Sequence, residues 1–544
     1  MRWLALALLF SCESESTPPT CLSKTPVGEI AEMSFEGDPS PFKPAEVQDP
    51  CATSPSLLVL RIDAGWCGTC RWQAAHTDQA IDPSVMLVDV LVANDDNAPA
   101  HAADLAAFRR FIVRTGPRIV VADPQFQLRA LLPQHFSLPA VLVADRRDLR
   151  IVATVTDPDP SVVATAIAAA LGKASPQPSE KIDGRFAPWE IDMAKDMLVP
   201  GAPLPDPSNA HADDPAAALF GAKLFEETGF SKNGQVACST CHQAKHSYSD
   251  AQPTSTGIGP VDRNAPSITL AAHARWDFWD GRADSSWSQA LGPIEAPNEM
   301  GSSRYRVAHF IADNYAAEYT AIFGALPPLS DTARFPLDRK PANPNDAFDV
   351  DVVFANVGKA IAAHERTFRA QANAFDRWIA GDAGALSDSQ KNGLHAFFAS
   401  GCAQCHWGPR FTDDAFHVLR FPTGRIDGSP DRGRIDGVPL LDMNPFNRAG
   451  PFSDAVASVA IAGMPSMIGA LKTPTLRGVP STAPYGHGGT FATLDDVLAV
   501  LAKGGDPQDA RSIGALEPFL PTFDAKTASS IVTFLSVLTA DPQN

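Results

Sequence analysis

The spacing of apolar and polar residues changes character twice along the chain, and those changes divide it. Between residues 57 and 155 short apolar runs of strand length recur: Leu57-Leu58-Val59-Leu60-Arg61-Ile62, Val85 to Val92, Ile119 to Ala122, Ala140 to Ala144 and Ile151 to Val155. Such runs predict buried strands, and a helical stretch after Cys70 makes this first region α/β. From Ala174 to Pro207 the pattern breaks, with prolines at Pro176, Pro178, Pro188, Pro200, Pro203, Pro205 and Pro207. A run of this kind cannot continue a helix or a central strand and predicts a semi-rigid linker. Beyond it, apolar spacing in Asp351 to Ala363 and in Thr493 to Leu501 predicts helices. Thr254 to Thr269 and Phe421 to Ile461 read as long loops of the kind that carry function or wrap a cofactor.

Two motifs change that picture. Cys238-Ser-Thr-Cys-His242 recurs as Cys402-Ala-Gln-Cys-His406. In a CxxCH motif the two thiols form thioethers to haem vinyl groups and the adjoining histidine supplies the proximal iron ligand. The alternatives are chance clusters or a zinc site, which usually needs a second ligand pair close at hand. The chain therefore predicts two covalent haems, held at Cys238 and Cys241 and at Cys402 and Cys405, with His242 and His406 on iron. Upstream, Trp66-Cys67-Gly68-Thr69-Cys70 follows the first strand. A thiol at a helix N-terminus has its thiolate stabilised by the dipole and the free N–H groups, which makes Cys67 the attacking sulfur and Cys70 the resolving one. A static disulfide is the alternative.

Length and charge bound the rest. With 544 residues, 44% of them hydrophobic, the chain has material for three or four domains with real cores. An excess of 62 acidic over 44 basic residues gives a net charge of −18, which argues against nucleic acid and for a basic protein partner such as a small cytochrome. Met1 to Cys12 reads as one positive charge, a short apolar run from Trp3 to Phe10 and then Ser11-Cys12. That run is too short to cross a bilayer as a mature helix and predicts export. Leu9 to Cys12 resembles the lipobox of bacterial lipoproteins, with Cys12 acylated, although Phe10 is unusual there; ordinary signal cleavage is the alternative. Of the nine cysteines, Cys21 and Cys51 are left over, and in an oxidising compartment they suggest a disulfide; two free thiols are the alternative.

Cys51 to Gly172 resembles the thioredoxin-like family, most specifically at the dithiol, and Leu138-Pro139 falls where that family carries its cis-proline. His211 to Thr539 resembles the bacterial di-haem cytochrome c peroxidases. The matching stretches run in order: Leu219 to Phe225, Gly229-Phe230-Ser231, Arg263 to Ser267, Phe278 to Arg282, Gln289-Ala290, Pro293-Ile294 and Glu299-Met300-Gly301. They continue through His364 to Thr367, Phe375-Asp376-Arg377, Gly408 to Asp413, Lys472 to Arg477 and Pro484 to Gly489. The resemblance implies a thioredoxin-like α/β domain followed by two mainly α-helical cytochrome c-type domains. The expected divisions are residues 1–20 for export, 21–173 thioredoxin-like, 174–207 linker, 208–345 for the first haem and 346–544 for the second.

It also implies roles. The first haem cleaves peroxide and the second receives electrons, with Gln289 and Glu299 holding peroxide and moving its proton. Trp279 lies between the haems as an electron relay or as simple packing. The Asn264 side chain and the Thr482 and Pro484 carbonyls bind calcium, whose preference for oxygen ligands they satisfy. Two departures stand out. Where many members have a histidine capping the first iron, this chain reads Ser255-Thr256-Gly257-Ile258-Gly259, leaving His246 or His273 as substitutes or an open iron. Where the family places a methionine or tyrosine on the second iron, Leu501 stands here, so that iron is five-coordinate or takes Met464, Met467 or His487.

The leading expectation is an exported, periplasmic, lipid-anchored peroxidase that reduces hydrogen peroxide with electrons from a small cytochrome or cupredoxin. A di-haem oxidase of tryptophan residues in a partner protein is the alternative within the family. An electron-transfer module linking thiol and haem redox is the alternative outside catalysis, and a thiol partner protein remains open for Cys67 and Cys70. Family members often dimerise, so a homodimer is among the expected partners.

Overall fold

The computed structural model describes residues 21, 28–52, 56–76, 82, 85–112, 118–157, 159–425, 427–457, 464–505, 509–520 and 522–541. The export segment and Cys12 lie outside them. The first region folds on a five-stranded sheet of order β3-β2-β1-β4-β5, built from β1 (Leu57–Ala64), β2 (Met86–Ala93), β3 (Arg118–Ala122), β4 (Ala140–Asp145) and β5 (Ile151–Val155). β1, β2 and β3 run parallel, and β4 and β5 are antiparallel to their neighbours. The period-2 pattern of β1 explains the two faces: Leu57 and Val59 meet Val163 and Ile167, while Leu58, Leu60 and Ile62 enter a separate core with Trp66, Cys67 and Cys70. Val163 and Ile167 belong to α3 (Pro160–Ala170); α1 (Gly68–His76) and α2 (Leu105–Arg109) precede it. With Cys67-Gly-Thr-Cys70 where β1 turns into α1, and a cis Leu138–Pro139 bond leading into β4, this is a thioredoxin-like domain. All five expected strands are present within a residue or two of their expected bounds. Cys21 and Cys51 form the expected disulfide.

Two helical cores follow. The first holds α5 (Pro215–Phe225), α6 (Cys238–Cys241), α7 (Ser286–Glu295), α8 (Arg304–Asn314), α9 (Ala316–Phe323) and α10 (Pro344–Glu365). Phe220, Leu224, Trp287, Leu291, Phe354 and Ile361 are its centre. The second holds α11 (Ala374–Ile379), α12 (Asp388–Ala399), α14 (Leu494–Leu501) and α15 (Ala525–Leu535), with Phe375, Phe397, Phe398 and Phe534 at its centre; α13 (Arg434–Asp442) lies between. A two-stranded ribbon, β6 (Phe416–His417) with β7 (Leu471–Lys472), completes the structure.

Packing revises two of the expected divisions. A boundary at 345/346 would cut α10 from its own core, because Val350, Phe354, Val357 and Ile361 are buried against α5 and α7. A division after Phe368, which still belongs to that core, fits the packing instead. The proline-rich stretch is no mere spacer either. Pro188 opens α4 (Pro188–Lys195) at the position where a missing N–H costs nothing, and Trp189 and Met193 are buried in the second helical core. The Met197 carbonyl accepts from Arg477, and the Val199 N–H donates to Asp376 at 2.8 Å. The expected loop from Phe421 to Ile461 contains α13; the one from Thr254 to Thr269 holds neither helix nor strand.

Candidate functional site

A cavity of about 810 Å³ is lined by both CxxCH motifs, and its wall includes Cys238, Cys241 and His242 at one end and Cys402, Cys405 and His406 at the other. The four thiols are free, and burial pushes that of Cys241 up to about 11 and that of Cys402 up to about 12. Each histidine is oriented alike. Nδ1 of His242 lies 2.9 Å from the Tyr248 carbonyl and Nδ1 of His406 2.9 Å from the Phe411 carbonyl. With Nδ1–H donated to a carbonyl, Nε2 is the atom left to bind a metal, and burial lowers both pKa values, favouring the neutral form that ligates. Paired thiols, an oriented neutral imidazole and an apolar wall fit a covalent haem at each end.

At the first end, α7 carries Gln289 and Pro293 onto the cavity wall, and the turn after it carries Glu299. Pro293 sits inside the helix without an N–H to donate to the carbonyl of Gln289. Burial raises the pKa of Glu299, with the positive charge of Arg282 opposing. Arg282 was not singled out from sequence. It pairs with Asp280 at 3.0 Å, and its guanidinium covers the Phe278 ring at 3.6 Å. The Ser255 to Gly259 loop is pinned to this turn: Ile258 N–H donates to the Glu299 carbonyl at 2.8 Å and Gly259 N–H to that of Asn298 at 3.0 Å. A Cβ on Gly257 would fall 2.3 Å from the Glu299 carbonyl oxygen, so glycine is what lets the two backbones meet. Ser255 and Gly257 reach the cavity wall, whereas Ile258 is exposed; neither His246 nor His273 is part of that wall.

Trp279 also lines the cavity, with its indole N–H donated to the Asn264 carbonyl at 2.9 Å and its ring 6.3 Å from that of His487. Asn264, Thr482 and Pro484 share this wall. The Asn264 amide nitrogen is used on the Gln252 carbonyl at 2.7 Å, so its oxygen is the atom available to a cation. Arg263 joins Asp280 at 2.6 Å to Asp431 at 2.7 Å, bridging the sequence between the two halves. Burial would raise the pKa of Asp431, but the bonds from Arg263 hold it at about 2; burial takes His487 down to about 4.

At the second end, Leu494, Val497, Leu498 and Leu501 present an apolar stripe of α14 to the cavity. Met464 and Met467 are not part of the wall and pack instead with Phe416 and Trp276. His487 does line the cavity. Cys405, Asp413 and His417 place ligand-type atoms within 4.8 Å of one another, the one such group among the described residues. His417 is held from both sides, by Asp413 at 3.0 Å and Glu517 at 2.9 Å.

The thioredoxin-like dithiol lies against this second end. Cys67 and Cys70 are joined in a disulfide and fully buried, and Cys405 packs against their core. Trp407, which follows the second motif, donates its indole N–H to the Trp66 carbonyl at 3.0 Å.

The family described as di-haem cytochrome c peroxidase matches residues 215–384. Methylamine utilization protein MauG of Methylorubrum extorquens is 31% identical over 333 residues, which span 60% of this chain and 79% of that protein. Cytochrome c551 peroxidase of Pseudomonas aeruginosa is 31% identical over 291 residues, spanning 52% and 71%. Among solved structures, the diheme peroxidase BthA from Burkholderia thailandensis E264 covers 63% of this chain and 95% of its own at 19% identity, with a TM-score of 0.47.

Proposed function

We propose that this chain, which belongs to the di-haem cytochrome c peroxidase family, reduces hydrogen peroxide to water at its first haem with electrons that enter at its second from a small redox protein. When bound at Cys238, Cys241 and His242 and at Cys402, Cys405 and His406, the haems would supply redox-active iron and relay the donor's electrons. The protein supplies position and protons. Glu299, raised by burial, is matched to accept the proton of the inner peroxide oxygen and return it to the outer one. Gln289, on the same wall, donates its amide to the peroxide and holds it. His242 is fixed by the Tyr248 carbonyl, and His406 by that of Phe411. Trp279, on the same wall and tied to the Asn264 carbonyl, would carry electrons between the haems. Calcium at Asn264, Thr482 and Pro484 would hold the halves in register. The excess of acidic residues suits a basic donor such as a cytochrome or cupredoxin. Export to the periplasm with a lipid anchor at Cys12 completes the reading; among the described residues no helix is long and apolar enough to cross a membrane.

The observation that carries the reading is the joint presence of Gln289 and Glu299 on the wall of the first haem end, because an electron carrier needs no proton-transfer group there. The Ser255 to Gly259 loop brings no histidine to that wall, so resting protein should react with peroxide without prior reduction. The same feature favours a second reading, oxidation of tryptophan residues in a partner protein, in which the donor is the substrate. Stoichiometric peroxide added to fully oxidised, haem-loaded protein, followed by stopped-flow absorbance, tests both. Rapid peroxide loss supports an open first site, and turnover with reduced cytochrome separates peroxidase from protein oxidase. No reaction until one haem is reduced would refute the open site.

A further inference from the structure

The two haem-attachment motifs have different surroundings. Cys238 packs in the first helical core with no part of the thioredoxin-like domain in that cluster. The second motif is docked on that domain's redox face. The start of α1 lies against the turn Cys402–Gln404. A Cβ on Gly68, the residue after Cys67, would fall 2.1 Å from the Trp407 ring, so the indole rests directly on the backbone of the dithiol loop. The Leu138 N–H, next to cis-Pro139, donates to the Gln404 side-chain oxygen at 2.6 Å. Gln404 is one of the two residues enclosed by Cys402 and Cys405. Asn97 of the same domain donates to the Phe416 carbonyl at 3.0 Å and to Glu517 at 2.9 Å, and the Trp66 ring meets His417 edge-on at 4.6 Å.

A dithiol can act only on a disulfide that its attacking sulfur can reach. Cys67 and Cys70 are both 0% exposed, and the surface that covers them includes the second CxxCH loop of the same chain. The geometry points to Cys402 and Cys405 as the substrate of the Cys67/Cys70 dithiol: it reduces a Cys402–Cys405 disulfide so that the second haem can attach. The Cys67 thiolate attacks one sulfur of that disulfide, forming a mixed disulfide and releasing the other sulfur as thiolate. Cys70 then attacks Cys67, its proton passing to the released thiolates. Two electrons leave Cys67/Cys70 and two reach Cys402/Cys405. The reduced dithiol is supplied beforehand by an external protein dithiol, before the domains dock. Docking within one chain raises the effective concentration of the reactants into the range a tethered pair enjoys, and thioether formation then makes the step irreversible.

The test uses the full chain, exported in a bacterial host with its haem-attachment machinery. In Cys67→Ser, haem per chain should fall from two to one. Peptide mass spectrometry should find haem on the Cys238–Cys241 peptide and a disulfide in the Cys402–Cys405 peptide, and a small dithiol added during export should restore the second haem. A purely structural role of Cys67 would not respond to added thiol. Independently, Cys70→Ser made under haem starvation should accumulate a mixed disulfide between Cys67 and Cys402 or Cys405. Full loading of both motifs in Cys67→Ser would overturn the proposal, and so would a Cys70→Ser chain whose Cys67 is found only on other proteins. The trapping result stands even if the first variant fails to fold.

Discussion

Replacing Glu299 by glutamine separates the two consequences of burying a carboxylate at the first site. Glutamine keeps the shape and can still accept a hydrogen bond, but it cannot shuttle a proton. A positioned acid–base group contributes ~10²–10⁴ in rate, or about 2.7–5.5 kcal/mol of barrier, and peroxide turnover should fall by that factor. In the native protein the rate should rise with pH through the raised pKa of Glu299, since the ionised form takes the proton. That limb should vanish in the variant. Stability should move the other way. Because the folded pKa lies above its ordinary value, the native protein is relatively most stable below that ordinary value and loses stability as pH rises through the folded pKa. Glu299→Gln should therefore melt higher than native protein at neutral pH, and the gap should close in acid. Arg282 keeps Asp280 as its partner, so the substitution strands no cation. Steady-state peroxide consumption and melting curves across pH check both arms. An unchanged rate with an unchanged pH profile would refute the assignment.

Three further perturbations probe the supports. Gly257→Ala puts a methyl group 2.3 Å from the Glu299 carbonyl, which should cost ~1–3 kcal/mol and lower peroxide turnover as the turn shifts, whereas Gly201→Ala, with nothing within 4 Å, should be near neutral by thermal melting. Arg263→Met leaves Asp280 with Arg282 but takes both guanidinium bonds from the buried Asp431, and should cost ~3–5 kcal/mol in denaturant unfolding. The native pair's contribution is present above the ordinary aspartate value of 3.8 and is lost as pH falls toward about 2, so this part of the acid sensitivity should disappear in the variant. Trp279→Phe removes the donor to the Asn264 carbonyl, costing ~1 kcal/mol, and should slow steady-state turnover with a reduced donor while leaving the first reaction of oxidised protein with peroxide unchanged in stopped flow.

Much of the fold was legible because its signals are local. The strands of the first domain announce themselves in runs such as Leu57 to Ile62, and each CxxCH carries its thiols and histidine in five consecutive residues. Gln289 and Glu299, expected together by resemblance, do share one wall. Other features depend on which surface a helix meets, and an amphipathic pattern gives a face without naming its partner. Hence the expected division fell inside α10, and the helix expected over Asp351 to Ala363 runs from Pro344 to Glu365 and packs on the first core. In α4 the prolines spoke about the backbone and hid what Trp189 and Met193 do in the second core. The Trp407 bond to Trp66 joins residues 341 apart, a separation at which spacing along the chain carries no signal.

That long-range contact changes how the first domain should be understood even apart from its thiols. Phe519 lines the second end of the cavity, and on its other side it packs against Trp66, Phe126 and Phe136 of the thioredoxin-like domain, with ring centroids 5.7, 5.9 and 5.5 Å away. Opposite, α14 supplies Leu494, Val497, Leu498 and Leu501. The apolar wall of the second site is thus backed on one side by its own helix and on the other by a different domain. Exclusion of water around a haem is one of the terms that set its potential, along with axial ligation. The thioredoxin-like domain bears on that exclusion through Phe519. The first helical core contains no residue of that domain, although Asp96 accepts the Trp276 indole N–H at 3.0 Å and pairs with Arg275 at 3.1 Å. On the proposed division of labour, electron entry is the step that this Phe519 contact bears on.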